Sequence, residues 1–197
     1  ERPDLRAGPP DLCDRQALAR LDLAVRHGIP AFAEATSQLR GFHADPFCLT
    51  TLDLLLRSPA FRDVFRPDLI LQLGGVPTTA AVLRMLEEFT GAHFVIASDA
   101  ERRDVAHTAR VHVADDNQEF LLRLSRILEA APPRIADAGF LHRLQVADAA
   151  TRAALDRLCP PLETVFEGAA IRTLLGTLPE HSALFVSSSM PIRDVET

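Results

Sequence analysis

The 197-residue chain contains no lysine, no tryptophan and no tyrosine, so its 21 basic residues are all arginine. Without lysine there is no phosphate-loop lysine, no Schiff-base amine and no lysine general base. Without tryptophan and tyrosine, and with no clustered phenylalanine or histidine to stand in, there is no base-stacking platform for single-stranded nucleic acid. The net charge of −6 excludes a broad basic nucleic-acid surface as well. Cysteine is scarce: Cys13, Cys48 and Cys159 are scattered and form no CxxC pair. They read as buried thiols of a reducing compartment rather than as a metal or redox motif. No apolar run is long enough to span a membrane, and no signal-peptide pattern opens the chain. The expected location is therefore the cytoplasm. A start at Glu1 and a stop at Thr197, directly after a dense motif, read as cut ends of a longer protein.

What is present is a globular composition, with 47% hydrophobic and 24% charged residues, patterned as alternating strands and helices. Asp11–Arg26 has helical spacing and stops at Gly28, and Ile29–Ala33 is a short apolar strand. A polar loop with Gly41 and Pro46 follows, then short helices at Thr50–Leu56 and Ser58–Phe65. Asp68–Leu73 is the clearest strand. It enters a Gly74-Gly75-Val76-Pro77 turn and a helix, capped by Thr78 or Thr79, that runs to about Phe89. His93–Ala97 and Arg110–Ala114 are further strands. Asn117–Ala130, Gly139–Leu158 and Thr164–Leu178 are helices, and Ala183–Val186 is a last strand. A weak strand within residues 2–10 completes the pattern. The expected fold class is α/β: a three-layer Rossmann-like domain on a mostly parallel sheet of five or six strands. The expected division is residues 1–160 as that domain and 161–197 as a linker helix with the first strand of another.

Open parallel sheets bind ligands at the carboxyl ends of their strands. The Gly74–Thr79 turn lies at such an end, where free amides at a helix start can hold an anion. The same turn also reads as a plain tight turn, since no GxGxxG is present. Asp99 reads as a solvated cap, and the adjacent Arg102 and Arg103 as surface charges. His107 and His112 are too awkwardly spaced for one metal site. No HExxH and no GxSxG occurs. The tail differs, because Ser187, Ser188 and Ser189 lead through Met190-Pro191 to Arg193. Hydroxyls followed by a planar guanidinium suit a carboxylate ligand. A polar turn whose Arg193 pairs with Asp194 or Glu196 fits the same residues.

The stretch Leu184–Asp194 (L-F-V-S-S-S-M-P-I-R-D) resembles a motif of the 2-succinyl-5-enolpyruvyl-6-hydroxy-3-cyclohexene-1-carboxylate synthase family of menaquinone biosynthesis. Arg26–Ala31 with Leu39-Arg40, Ser58–Arg62, and Pro67–Pro77 resemble segments of the same family in the same order. The resemblance implies the central domain of a three-domain, thiamine-diphosphate-dependent transferase, together with the first strand of its third domain. The full enzyme would decarboxylate 2-oxoglutarate and add the product to isochorismate, using Mg²⁺, as a homodimer or homotetramer. No catalytic residue, cofactor site or metal site is expected within this chain, and the piece alone is expected to be inert. By position, Ser189 and Arg193 match the family's substrate contacts, and Ser188 stands where many members have asparagine. The family usually has a basic residue just after the glycine turn. Here Ala80 and Ala81 occupy that place, and Arg84 follows one helical turn later. Two other functions compete: an FAD- or ADP-binding central domain of another thiamine-diphosphate enzyme, and an assembly domain with an exposed apolar patch.

Overall fold

The computed structural model describes residues 20, 22–37, 39–40, 46–97, 103–114, 117–130, 138–159, 166–179, 182 and 184–196. The expected strand within residues 2–10, Cys13, most of the first helix, Asp99 and Arg102 lie outside the described residues. The described end of that helix, α1, covers 22–27. It stops at Gly28, whose φ of +64° is a left-handed turn that costs glycine little. The Ile29 amide then donates back to the Ala24 carbonyl at 3.0 Å.

The chain continues through β1 (Ala31–Phe32), β2 (Cys48–Leu49), α2 (Leu52–Arg57), α3 (Pro59–Val64), β3 (Leu69–Leu73), α4 (Ala80–Glu88), β4 (Ala92–Ala97) and β5 (Val111–Ala114). It ends with helices α5 (Asn117–Ala130), α6 (Ala138–Leu158), α7 (Glu167–Thr177) and α8 (Met190–Glu196). Every described strand pairing is parallel. β1 pairs with β2 through Ala31↔Cys48 and Phe32↔Leu49. β4 lies between β3 and β5, with Ile70↔His93 and Phe94↔Val111 in register. The expectation of a parallel, Rossmann-like α/β domain is met. The strands form one two-stranded and one three-stranded sheet, in place of a single larger one.

Two local expectations are corrected, and one strand is unforeseen. β2 lies just beyond the loop expected over 36–47; its two residues are buried by pairing with β1, a signal that no periodicity carries. The strand expected over Ala183–Val186 is not formed: residues 184–186 belong to no strand and Phe185 is 97% exposed. An apolar run becomes a strand only when a neighbour takes its amides, and among the described residues none lies beside it. The Met-Pro segment, expected as a turn, is the first turn of α8. Proline fits there because its missing amide would have no helical partner.

The main core gathers Leu49, Leu52 and Leu56 with Phe65, Val82, Leu86 and Leu144. Phe65 is at its centre, edge-on to Phe32 and stacked on Phe61 and Phe140 with centroids 5.3 and 6.0 Å away. α6 is fixed to this core by a polar contact. Asp148 is fully buried, and its Oδ1 accepts from the Thr50 amide (2.8 Å), the Thr51 amide (2.9 Å) and the Thr51 hydroxyl (2.8 Å). Its other oxygen pairs with Arg152 Nε at 3.0 Å. A carboxylate at this place satisfies amides at the start of α2 and complements the helix dipole there.

A second buried polar group stands in the sheet. His93 on β4 donates from Nε2 to Gln72 Oε1 at 3.2 Å, and its Nδ1 is hydrogen-bonded to the Thr108 hydroxyl at 3.0 Å. Burial pushes the His93 pKa down, aided by His112 and opposed by Asp104. The Asp104 carboxylate accepts from the Thr108 and Ala109 amides at 3.3 and 2.8 Å. Burial alone would raise its pKa, but those amides and the two histidines outweigh it and hold Asp104 below the usual carboxylate range.

Asp148→Ala is expected to lower the unfolding free energy by about 3 kcal/mol, because it leaves buried amides and a guanidinium without their acceptor. Asp148→Asn retains one acceptor and should cost less. Urea unfolding of both variants checks this. A loss below about 1 kcal/mol for the alanine variant would assign the hold on α6 to apolar packing instead.

Candidate functional site

Two segments are selected on sequence, one of them at the carboxyl end of a strand. The first is the turn after β3. Gly74 adopts φ +84°, and its amide donates to the Ile96 carbonyl at 2.8 Å, extending the β3–β4 pairing. Gln72 Nε2 donates to the Gly75 carbonyl (3.0 Å) and the Arg103 carbonyl (2.9 Å), tying the turn to the chain before β5. The Thr78 amide and hydroxyl donate to Glu34 Oε2 at 2.8 and 3.3 Å. Thr79 is the N-cap residue of α4 but makes no side-chain cap bond. The capping expected of a threonine is supplied instead by a carboxylate from the end of β1. The Gly74 and Thr78 amides are therefore already bonded within the chain, which favours the reading of this segment as a structural turn.

The second segment is the serine run and α8. Ser188 and Ser189 form an exposed turn, and Ser189 adopts φ +82°. A non-glycine residue held there is strained by roughly 1 kcal/mol or more, and such strain concentrates at functional turns. Arg193 lies one turn into α8 and is exposed, as is Arg84 on α4. The structure does not join them: among the described residues, no hydrogen bond or ion pair links Arg84 to Ser188, Ser189 or Arg193. Leu184, Phe185 and Met190 are also exposed around the serines.

Glu196 does not pair with Arg193, as one reading of the tail had it. It is 5% exposed and turns toward the chain after β1, where its carboxylate accepts from the Ala35 amide. Arg40 Nη2 lies 3.5 Å from the same Glu196 oxygen. It also donates to the main-chain carbonyls of Glu196 (2.6 Å) and Val195 (3.3 Å), closing the carboxyl end of α8. Burial pushes the Glu196 carboxyl above its usual range and Glu34 adds to this, while Arg40 and the Ala35 amide oppose it. Burial also raises Glu34, against the hydrogen bonds of Thr78 and Thr79.

Sequence reasoning missed Glu34 and the role of Glu196. Glu34 carried a usable signal, being an acid just past a short strand, where a carboxylate can meet a helix start from the next βα unit. Arg40 entered only through the family resemblance. Of the other candidates, His112 Nε2 lies 3.8 Å from Asp104. Among the described residues, no three His, Cys, Asp or Glu side chains are placed to hold a metal ion. Cys48 is a buried thiol and Cys159 a partly exposed one, both free.

The fold and the exposed serine–arginine turn define a parallel α/β domain that presents a polar motif on a helix outside its sheets. No family model matches the chain. Curated relatives do. Proteins named 2-succinyl-5-enolpyruvyl-6-hydroxy-3-cyclohexene-1-carboxylate synthase match it at 33% identity in Synechococcus sp. (strain JA-3-3Ab), over 100% of this chain and 32% of the relative. Those of Geobacillus kaustophilus and Microcystis aeruginosa match at 32% and 31%, each over 92% of this chain and 31% of the relative. The chain resembles this synthase family along its whole length and spans less than a third of the length of these relatives.

The raised carboxyls give stability a sign against pH. Above the ordinary carboxylate range the folded chain keeps protons that the unfolded chain has released, so stability falls as pH rises through that window. Buried, neutral His93 acts oppositely, costing stability as pH falls below the ordinary histidine range. Relative to Glu34→Gln, the wild-type chain should therefore lose stability as pH rises above the ordinary carboxylate range. Urea unfolding across that rise measures the difference. A constant difference would mean that Glu34 titrates normally.

Proposed function

We propose that this chain is the central domain, residues 1–160, of a 2-succinyl-5-enolpyruvyl-6-hydroxy-3-cyclohexene-1-carboxylate synthase, with residues 161–197 leading into a third domain. The observation that carries the reading is the match itself, which runs through the whole chain yet covers 32% of the relative. In this reading the longer protein is a cytoplasmic, homodimeric or homotetrameric transferase acting on 2-oxoglutarate and isochorismate. Bare Phe185, in an apolar run with no strand beside it among the described residues, suits a segment that pairs with a sheet of another domain.

The described residues offer no site that fits thiamine diphosphate or Mg²⁺. Among the described residues no cluster suits a metal, and the Gly74 and Thr78 amides are already bonded. The same occupied amides argue against FAD or ADP at this turn. Cofactor chemistry would be supplied by other parts of the longer protein, and the isolated piece would be inactive. The contribution of this chain is to bind and orient the acceptor substrate. Isochorismate carries carboxylates, and the planar Arg193 guanidinium can take one through two parallel hydrogen bonds. The Ser188 and Ser189 hydroxyls can donate to the same group. Arg84 is exposed, without a hydrogen-bond partner among the described residues, and can supply a second positive charge.

Steady-state kinetics of the intact protein test this. Arg193→Ala should raise the KM for isochorismate by roughly tenfold or more, the usual cost of a lost charge-assisted hydrogen bond. Arg84→Ala should raise the same KM by a smaller factor, and an unchanged value would exclude Arg84 as a contact. Absence of product from 2-oxoglutarate and isochorismate, or a marked rise in melting temperature with FAD or ADP, would overturn the proposal.

A further inference from the structure

The helix that carries Arg193 is fastened at its far end by groups that touch no substrate in the reading above. Three contacts from Arg40 to α8 fall on one nitrogen: Nη2 reaches the Glu196 carbonyl at 2.6 Å, the Val195 carbonyl at 3.3 Å and the Glu196 carboxylate at 3.5 Å. A cation at this end also complements the helix dipole. The Glu196 carboxylate accepts from the Ala35 amide on the other side. Arg40 is itself held. The preceding Leu39 is 5% exposed, and its carbonyl accepts from the Cys48 thiol at 3.2 Å. The last turn of α8 is thus gripped from both ends of the short loop after β1.

The same loop grips the other candidate segment. Glu34, adjacent to Ala35, accepts from the Thr78 amide and hydroxyl at the entry to α4. Two consecutive residues therefore connect the helix carrying Arg84 to the helix carrying Arg193. We propose that Glu34, Arg40 and Glu196 are positioning residues that fix the placement of the Arg193 helix relative to the Gly74–Thr79 turn, and so set the affinity for the carboxylate-bearing acceptor. The inference rests on the substrate role given above to Arg193. Its basis is separate: a clamp spanning 156 residues of sequence between Arg40 and Glu196. A misplacement of about 1 Å at a binding group can cost up to a hundredfold in rate, so a clamp remote from the ligand has leverage on it.

The test is Arg40→Ala, Arg40→Lys and Glu196→Gln in the intact protein. It is read by steady-state kinetics and by amide hydrogen exchange of residues 189–196. Arg40→Ala should raise the KM for the acceptor about tenfold, with kcat changed less than about threefold, and speed exchange across α8. Because the α8 contacts use one nitrogen, Arg40→Lys should restore much of the affinity. Glu196→Gln is nearly isosteric, and should reproduce the KM effect even if the alanine variant does not fold. Unchanged KM in these variants, with or without faster exchange, would overturn the proposal, since the clamp would then be structural only. If the wild-type protein lacks synthase activity, the substrate reading fails instead. Unchanged exchange in the variants would then overturn the clamp independently, and faster exchange would uphold it.

Discussion

A buried carboxylate joins the two halves of the chain, beside the apolar contacts of Leu144 and Phe140 with the core. Asp148 is sealed from water on a helix in the second half, yet all its amide donors lie at the β2–α2 junction, some 97 or 98 residues away in sequence. A buried ion without such partners would cost several kcal/mol. The contact therefore specifies register as much as it stabilises. α6 has few rotations and translations that leave Asp148 Oδ1 bonded to the Thr50 and Thr51 amides. The aromatic stack of Phe61, Phe65 and Phe140 tolerates sliding better, because apolar contact is not directional. The polar contact selects one packing among those the core would accept.

The same economy of means recurs near the motif. Glu34 does for α4 what Asp148 does for α2, bringing a side-chain oxygen from a distant element to a helix start that its own threonine leaves uncapped. Arg40 performs the mirror-image task at the carboxyl end of α8. Helices α2, α4 and α8 are short, and short helices have little cooperative stability of their own. Their ends are fixed by tertiary groups, and their orientation follows from those groups more than from the helices' own sequences.

Much of this fold was legible in the residues. α5 is found at the limits its spacing predicts, and β3 differs by one residue, because both carry a strong local signal: a helical apolar face in one, a largely apolar run before two glycines in the other. The sequence was mute where structure depends on a partner. β2 is two residues long and has no pattern of its own. Residues 184–186 have the pattern of a strand but no neighbour to pair with. α8 was concealed by Pro191, which punctuates most sequences but is harmless in a first turn. Ser188, Ser189, Arg84 and Arg193 are proposed as contacts from residue type and resemblance. Glu34 and Glu196 are not legible in that way, since what they do is defined by the amides they meet across the fold. A burial-raised carboxyl has no signature in one dimension.

Gln72 has a consequence of another kind. Its amide nitrogen is committed to two main-chain carbonyls, those of Gly75 and Arg103, so its oxygen must face His93. An oxygen there requires the proton of the imidazole on Nε2, which leaves Nδ1 to accept from the Thr108 hydroxyl. The tautomer of a ring inside the sheet is thus dictated by the carbonyls of a surface turn. Proton order in the interior and backbone geometry at the glycine turn are one hydrogen-bond chain with a single direction. A rearrangement of that turn that turned the Gln72 amide over would present a donor to His93 and move the hydrogen of the ring to its other nitrogen.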